Sequence, residues 1–401
     1  MGALITDCRA RSVLDSRGKP TLEVTLSAGD LHVSALVPSG KSAGVHEAHE
    51  LRDENGNGVT KAIQQIEHVI RPAIIGRAPQ QKVIDSLMIA LDGTNNKSNL
   101  GGNSCIGVSI AVCRLAAKIH GMHTWDFISQ ENGTKPAFPK LYMNLINGGV
   151  HAGFRLPFQE YIVVIGKDSP RESYETGKEI FDELGELIHG EFDDVVMGDE
   201  GGYSPDCRDV YRPFEILDSI VGDDNELHLA IDAAASEFFE NGIYALQDMK
   251  YSNDDLLELY ADLALRFPLR SIEDPFAEDE VKDFTRIVEA LGDRSLIVGD
   301  DLTVTNPRRL SRMITEKAGN ALIIKPNQIG TLSEVYETVK LARDNDWKII
   351  VSHRSGDTMG TFISDLAVGL GAYGIKAGSP VPPERKVKYE RLIEIYENEM
   401  E

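Results

Sequence analysis

The chain has 401 residues, 42% apolar and 26% charged, and its 64 acidic against 41 basic side chains leave a formal net charge of −23. So acidic a surface repels phosphate backbones and anionic lipid, and no basic stripe with interleaved aromatics offsets it, which excludes nucleic acid and membrane surfaces as partners. At roughly 100–200 residues per domain the length allows two or three domains, or one small domain plus a barrel-sized one.

The four cysteines, Cys8, Cys105, Cys113 and Cys207, show neither CxxC spacing nor the density of a disulfide scaffold, which fits buried thiols in a reducing compartment. The N-terminus lacks a basic region followed by an apolar run, so a cytoplasmic protein without a signal peptide is expected. Met1 to Thr6 satisfies a myristoylation pattern, but the residues after it read as a strand.

The first third is α+β in character. Leu22, Val24 and Leu26 alternate with polar residues, Ala28-Gly29-Asp30 turns the chain, and Leu31, Val33, Ala35 and Val37 alternate again, which predicts a strand pair with one wet face. Helical spacing follows, with Ile63, Ile66 and Ile70, then Val83, Leu87 and Leu91 as expected core faces. Ile106 to Leu115 reads as a buried helix, its apolar run from Cys105 to Cys113 too short to span a bilayer. The polar, Gly/Pro-punctuated segment from Ser129 to Pro136 marks a boundary between a domain at 1–128 and another at 136–401.

Beyond it the pattern becomes strand, helix, strand, helix. Ser169-Pro170 opens a helix with Ile180, Phe181, Leu184, Leu187 and Ile188 on one face. Short apolar strands recur at Leu227–Ala230, Arg270–Ile272, Leu296–Val298, Ala321–Ile324, Lys348–Val351 and Tyr373–Ile375. Such alternation implies parallel strands and right-handed crossovers, and six units with no glycine-rich first turn favour a closed α/β barrel over an open sheet.

The residues at or just past these strand ends are Asp232, Glu273, Asp300, Lys325, His353 and Lys376. In a barrel all six converge on one mouth, where such folds keep their active sites. Three converging carboxylates cannot all stay ionised without a cation, and oxygen ligation selects a hard ion such as Mg²⁺; a salt-bridge cluster with the two lysines is the structural alternative. A lysine crowded by a divalent cation and a second ammonium has its neutral form favoured, as a general base requires. Arg354, Ser355 and Gly356 offer a planar fork, a hydroxyl and close approach to an anion. Upstream, Gly198-Asp199-Glu200-Gly201-Gly202 and Asn147-Gly148-Gly149-Val150-His151-Ala152-Gly153, with Gln159-Glu160 close behind, set ionisable groups in glycine-rich loops. Ser39 to Gly44 is a similar loop without the P-loop glycine pattern.

With these residues in view, the chain resembles the enolase family over essentially its whole length. The matching segments are VLDSRGKPT (13–21), LDGT with NKS (91–98), NGGVHAG (147–153), GDEGG (198–202), SIEDPF (271–276), GDDLTVTNP (299–307), KPNQIGTLSE (325–334), SHRSG (352–356) and IKAG (375–378). The resemblance implies a small N-terminal α+β domain and a C-terminal TIM-like (β/α)8 barrel of modified type, whose first strands are not simply parallel. It implies a phosphopyruvate hydratase interconverting 2-phosphoglycerate and phosphoenolpyruvate in glycolysis. Asp232, Glu273 and Asp300 would then hold a first Mg²⁺, and Ser42 would help bind a second that arrives with substrate. Lys325 would be the base at C2 and Glu200 the acid at the C3 hydroxyl, with His151, Glu160 and His353 supporting. Arg354 and Ser355 would hold the phosphoryl group and Lys376 the carboxylate, with Gln159 among the substrate contacts. The family also implies a homo-oligomer, a dimer or an octamer, with Arg17 in a segment resembling the subunit contact.

The family's small-domain loop usually reads SGASTG where this chain has SGKSAG, and SHRSGDTMG departs from the usual acidic continuation after Asp357. Two alternatives share the fold: an enolase-like paralogue acting on another phosphorylated hydroxy acid, motivated by Lys41, and a non-catalytic binding paralogue.

Overall fold

The computed structural model describes residues 3–41, 46–54 and 56–400, with the backbone alone at His151. Near the N-terminus, β1 (Asp7–Leu14), β2 (Pro20–Ala28) and β3 (Leu31–Leu36) form an antiparallel sheet in sequence order. The helix Gly102–Ile119 lies against it, and Gly107 permits the close approach: a Cβ there would sit 2.6 Å from a Val24 methyl. This helix is longer than the apolar run predicted. It is long and apolar enough to cross a membrane, but 83% of it is buried in the protein, where it fills the core between the sheet and the barrel.

The helix Gln81–Asp92 corrects another expectation. Val83 and Leu91 are exposed, and the buried face carries Gln81, Ile84, Asp85, Met88 and Asp92. A polar network makes this possible: Asp85 accepts hydrogen bonds from Gln81 (3.0 Å) and from the backbone N–H and hydroxyl of Ser333 (2.9 and 2.7 Å), the latter on the barrel helix Leu332–Arg343. Buried polar groups with partners cost little, so apolar spacing alone misidentifies the face.

The expected linker begins inside a helix, Thr124–Asn132, which packs on the barrel: Trp125 donates to Glu399 (2.8 Å), and a Cβ on Gly369 would meet the Trp125 carbonyl at 2.4 Å. The helix Pro170–Glu191 opens as predicted, with the Ser169 side chain accepting from the Glu172 N–H (3.1 Å); of its expected face only Leu187 is exposed.

The barrel strands are β4 (Lys140–Asn147) and β5 (Glu160–Ile165), followed, beyond a side hairpin of β6 (Val195–Met197) and β7 (Tyr203–Pro205), by β8 (Leu227–Asp232). A small excursion, β9 (Phe239–Glu240), β10 (Ile243–Leu246) and β11 (Met249–Tyr251), precedes β12 (Leu269–Glu273), β13 (Leu296–Gly299), β14 (Ala321–Ile324), β15 (Lys348–Ser352) and β16 (Gly374–Lys376). β16 pairs with β4 and closes an eight-stranded barrel. It is not parallel throughout, as strand–helix alternation alone would have it: β5 runs antiparallel to both β4 and β8. No crossover helix separates β4 from β5, and an antiparallel neighbour can be reached by a loop alone. The barrel is filled by Tyr142, Ile162, Val164, Ala230, Val298, Ala321, Ile323 and Ile350, a packed interior rather than a pore.

Candidate active site

The parallel strands deliver their C-terminal ends to one mouth. Asp232, Glu273 and Lys376 are the last residues of β8, β12 and β16, while Asp300, Lys325 and His353 directly follow β13, β14 and β15. The reversed β5 contributes its first residue instead, Glu160, in register with Asp232 on one side and Asn147 on the other. The resulting cleft has a volume of about 560 Å³, and among the described residues eight carboxyl side chains line it against four cationic ones. The acid excess noted for the whole chain is therefore repeated at the site, in buried form.

Lys376 sits among three acids, its ammonium 2.9 Å from Glu160, 3.1 Å from Asp232 and 2.9 Å from Glu273. Gln159 also donates to Asp232 (3.3 Å). Burial pushes Glu273 well above the ordinary carboxylate range, and the Asp232 charge adds to this against the pull of Lys376. Glu160 is raised in the same way, by burial and by the nearby Glu200 charge. One ammonium is too little positive charge for three desolvated carboxylates.

Lys325 donates to Asp300, whose other oxygen accepts from Gln328 (2.8 Å). Burial pulls Lys325 down more than any single neighbour raises it, but the surrounding acids, Asp300 first and Glu273 after it, together favour the charged form. The expected shift toward the neutral form belongs to a lysine beside a bound divalent cation; in the protein alone the nearest charged neighbour is the Asp300 carboxylate.

Glu200, on the turn between β6 and β7, accepts from Asn144 (3.0 Å) and lies 3.3 Å from His353 Nε2. Burial lowers His353 to about 4, outweighing the Glu200 charge. Its Nδ1 faces a guanidinium nitrogen of Arg385, which can only donate, so the neutral ring carries its proton on Nε2 and presents it to Glu200. Arg385 is fully buried and also donates to the carbonyls of Arg354 (2.8 Å) and Ser355 (2.7 Å).

Arg354 is held by Glu47 of the N-terminal domain (2.8 Å) and by Asn327 (3.3 Å). The Ser355 hydroxyl accepts from the Lys41 N–H (2.8 Å), and the Lys41 ammonium reaches Asp199 (2.7 Å) and the Val150 carbonyl (3.1 Å). Lys41 thus ties together the small-domain loop, the loop bearing His151 and the turn bearing Glu200. Ser42 lies outside the described residues, and His151 is placed by its backbone alone, on the turn Gly149–Ala152.

Sequence reasoning passed over Asp274 and Asp301, each adjacent to a residue it selected. With Asp300 they bring one carboxylate oxygen each within 4.8 Å of one another. Asp274 has φ 40°, a left-handed conformation costly for a non-glycine residue, and it accepts the N–H groups of Asp300 and Asp301 (3.0 and 2.8 Å). Doubled acids in SIEDPF and GDDLTVT are the signal that could have found them. Arg385 had no such signal, since a lone arginine in a helix reads as surface.

Comparison with known proteins accords with this arrangement. The family model "Enolase, N-terminal domain" matches residues 5–128 and "Enolase, C-terminal TIM barrel domain" matches 135–401. The chain is 45% identical to the enolase of Methanopyrus kandleri, over 98% of this chain and 96% of that one. It is 43% identical to the enolase of Thermococcus kodakarensis and to enolase B of Dictyostelium discoideum, in each case over 98% of this chain and 94% of the relative. Full-length similarity at this level, on a closed barrel with a small N-terminal sheet domain, makes the chain a member of the enolase family.

Proposed function

We propose that this chain catalyses the Mg²⁺-dependent, reversible dehydration of 2-phosphoglycerate to phosphoenolpyruvate, a glycolytic and gluconeogenic step, in the cytoplasm and as a homo-oligomer, with 1–128 as a capping domain and 136–401 as the catalytic one. Family membership makes it a phosphopyruvate hydratase, a carbon–oxygen lyase. The observation that carries the reading is the cleft's composition: buried lysines and a buried acid pair amid carboxylates that outnumber the cations two to one.

The donor set fits a hard divalent ion. Its carboxylates are all-oxygen ligands, and burial with mutual repulsion drives Glu273 and Asp274 up in proton affinity, a cost that a divalent cation relieves. Mg²⁺, which Asp232, Glu273 and Asp300 would hold, with a second ion beside Ser42 once substrate arrives, supplies positive charge against the negative charge that develops as C2 loses its proton. Pairing a lysine base with one or two Mg²⁺ ions is a known property of the enolase superfamily.

The chain's own groups do the rest. Lys325 would take the C2 proton in its neutral form, which becomes accessible once a bound cation takes up the Asp300 charge that otherwise favours the ammonium. Glu200, oriented by Asn144 and His353, delivers a proton to the departing C3 hydroxyl, and Glu160 beside it keeps that proton available by raising the pair's affinity. Arg354 and Ser355 hold the phosphoryl group, while Lys376, with Gln159 and His151, orients the carboxylate end. Lys41 motivates a second reading, the same chemistry on another phosphorylated hydroxy acid. One assay tests both: the ultraviolet absorbance of phosphoenolpyruvate formed from 2-phosphoglycerate with Mg²⁺. An inactive intact protein overturns the leading reading, and activity that survives Lys325→Ala overturns Lys325 as base.

A further inference from the structure

The opposite mouth of the barrel carries a second concentration of charge with the reverse sign. His228 stands in register with Val164, and Val164 with Tyr142, so all three share one row across β8, β5 and β4. Val164 and Tyr142 belong to the barrel filling, which places His228 on the inward face at the N-terminal end of β8. Lys140 precedes Tyr142 by two residues on β4 and therefore faces the same way. On β12, next to β8, Arg270 falls at an irregularity of register between Leu269 and Ser271; its Nε donates to the Tyr373 hydroxyl, and its guanidinium lies 5.4 Å from that ring's centroid.

These three bases are little compensated. Among the described residues no ion pair holds the Lys140 ammonium, the His228 ring or the Nη groups of Arg270, whereas Asp224 and Glu226 nearby are both taken by Lys167 (2.6 and 2.9 Å). Burial lowers Lys140 and His228, and the Arg270 charge lowers both further, while Glu226 raises Lys140 and Asp224 raises His228 more weakly; this sets the three within electrostatic reach of one another. The backbone makes room for them. Gly166, at the end of β5, lies under Lys140, and a Cβ there would fall 2.4 Å from its ammonium nitrogen. Lys348, at the start of β15, adds a fourth base to this end, exposed to solvent.

We infer that Lys140, His228 and Arg270 form an anion site at the N-terminal mouth of the barrel that takes a phosphoryl group, either free phosphate or the phosphate of a small ester. A point charge, a ring N–H and a guanidinium whose Nη pair is free to fork are donors suited to the oxygens of a phosphoryl group. The site lies across the barrel filling from the catalytic cleft, so it stands or falls independently of the proposed reaction.

The test follows the His228 ring by NMR in the full-length protein, its resonance assigned by loss in His228→Gln. Inorganic phosphate should shift the signal saturably and raise its titration midpoint, while sodium chloride at matched ionic strength should not. Glycerol phosphate in a parallel arm distinguishes an ester from the free ion: tighter binding of one identifies the source. Arg270→Gln and Lys140→Met, made separately in case one fails to fold, should each weaken phosphate at least about tenfold. A shift that chloride reproduces, that never saturates, or that survives in both variants overturns the site.

Discussion

The two mouths of this barrel are built from the same strands, yet they solve opposite charge problems. At the C-terminal mouth each cationic side chain lining the cleft among the described residues is held by acids: Lys376 by three carboxylates, Lys325 by Asp300, Arg354 by Glu47 and Lys41 by Asp199. At the N-terminal mouth the bases outnumber the acids free to meet them. Net charge therefore predicts little at the scale of a site. A net charge of −23 sets the long-range field, but wells of either sign form wherever strand ends collect side chains.

The comparison can be broken most sharply at the acid. Glu200→Gln should lower turnover by about 10²–10⁴ while leaving exchange of the C2 proton with solvent, measured by NMR, because Lys325 remains. Loss of exchange along with turnover would mean that the two groups do not act separately.

Next is the metal. Chelation of Mg²⁺ should weaken 2-phosphoglycerate binding by more than about tenfold in calorimetry, since the cleft without cations carries excess negative charge. Equal affinity with and without the ion would remove the carboxylates from substrate binding.

His353 gives a pH signature. Its folded affinity for protons is depressed to about 4, so below the unfolded value near 6.5 the unfolded chain binds the extra proton. Its neutral form is fully accommodated above that value, and stability falls as pH drops from about 6.5 toward 4, by a few kcal/mol at most. The raised carboxylates trend the opposite way, so the measurement is the difference in thermal midpoint between the intact protein and His353→Asn across that window. A difference that does not vary with pH would contradict the buried neutral ring.

Lys41 should matter least. Its pair with Asp199 is partly exposed, worth about 0.2–1 kcal/mol, so Lys41→Ala should move KM by at most about fivefold with little change in kcat. A large fall in kcat would show that the tie between the three loops is needed for chemistry.

Much of the catalytic mouth was legible because strand ends are readable: a short apolar run followed by an ionisable residue, six times over, fixes which side chains meet. Direction was not legible from pattern. Glu160 to Ile165 is buried throughout, and a continuous apolar strand reads the same either way, so only the resemblance anticipated a strand that is not parallel. Pairing was also hidden. Nothing near Lys325 in sequence reveals that it will pair with Asp300, and nothing near His353 points to Arg385 on a distant helix. The Gln81–Asp85–Ser333 network defeated periodicity because hydrogen bonds let polar residues take the inner face. At the other mouth, Arg270, His228 and Lys140 are far apart in the chain, and only the register of β4, β5, β8 and β12 brings them to one end.

The reversed β5 ties the cleft's set of carboxylates to strand register. Glu160 faces Asp232 because the two are paired; a slip of one residue would turn Glu160 outward, bring Tyr161 toward the mouth and exchange every inward side chain of the strand. Such a species would keep its secondary structure and nearly all of its hydrogen bonds. A population misfolded in this way would look native by circular dichroism and be distinguished by its missing carboxylate, and under the role proposed for Glu160 specific activity would then measure register as well as chemistry.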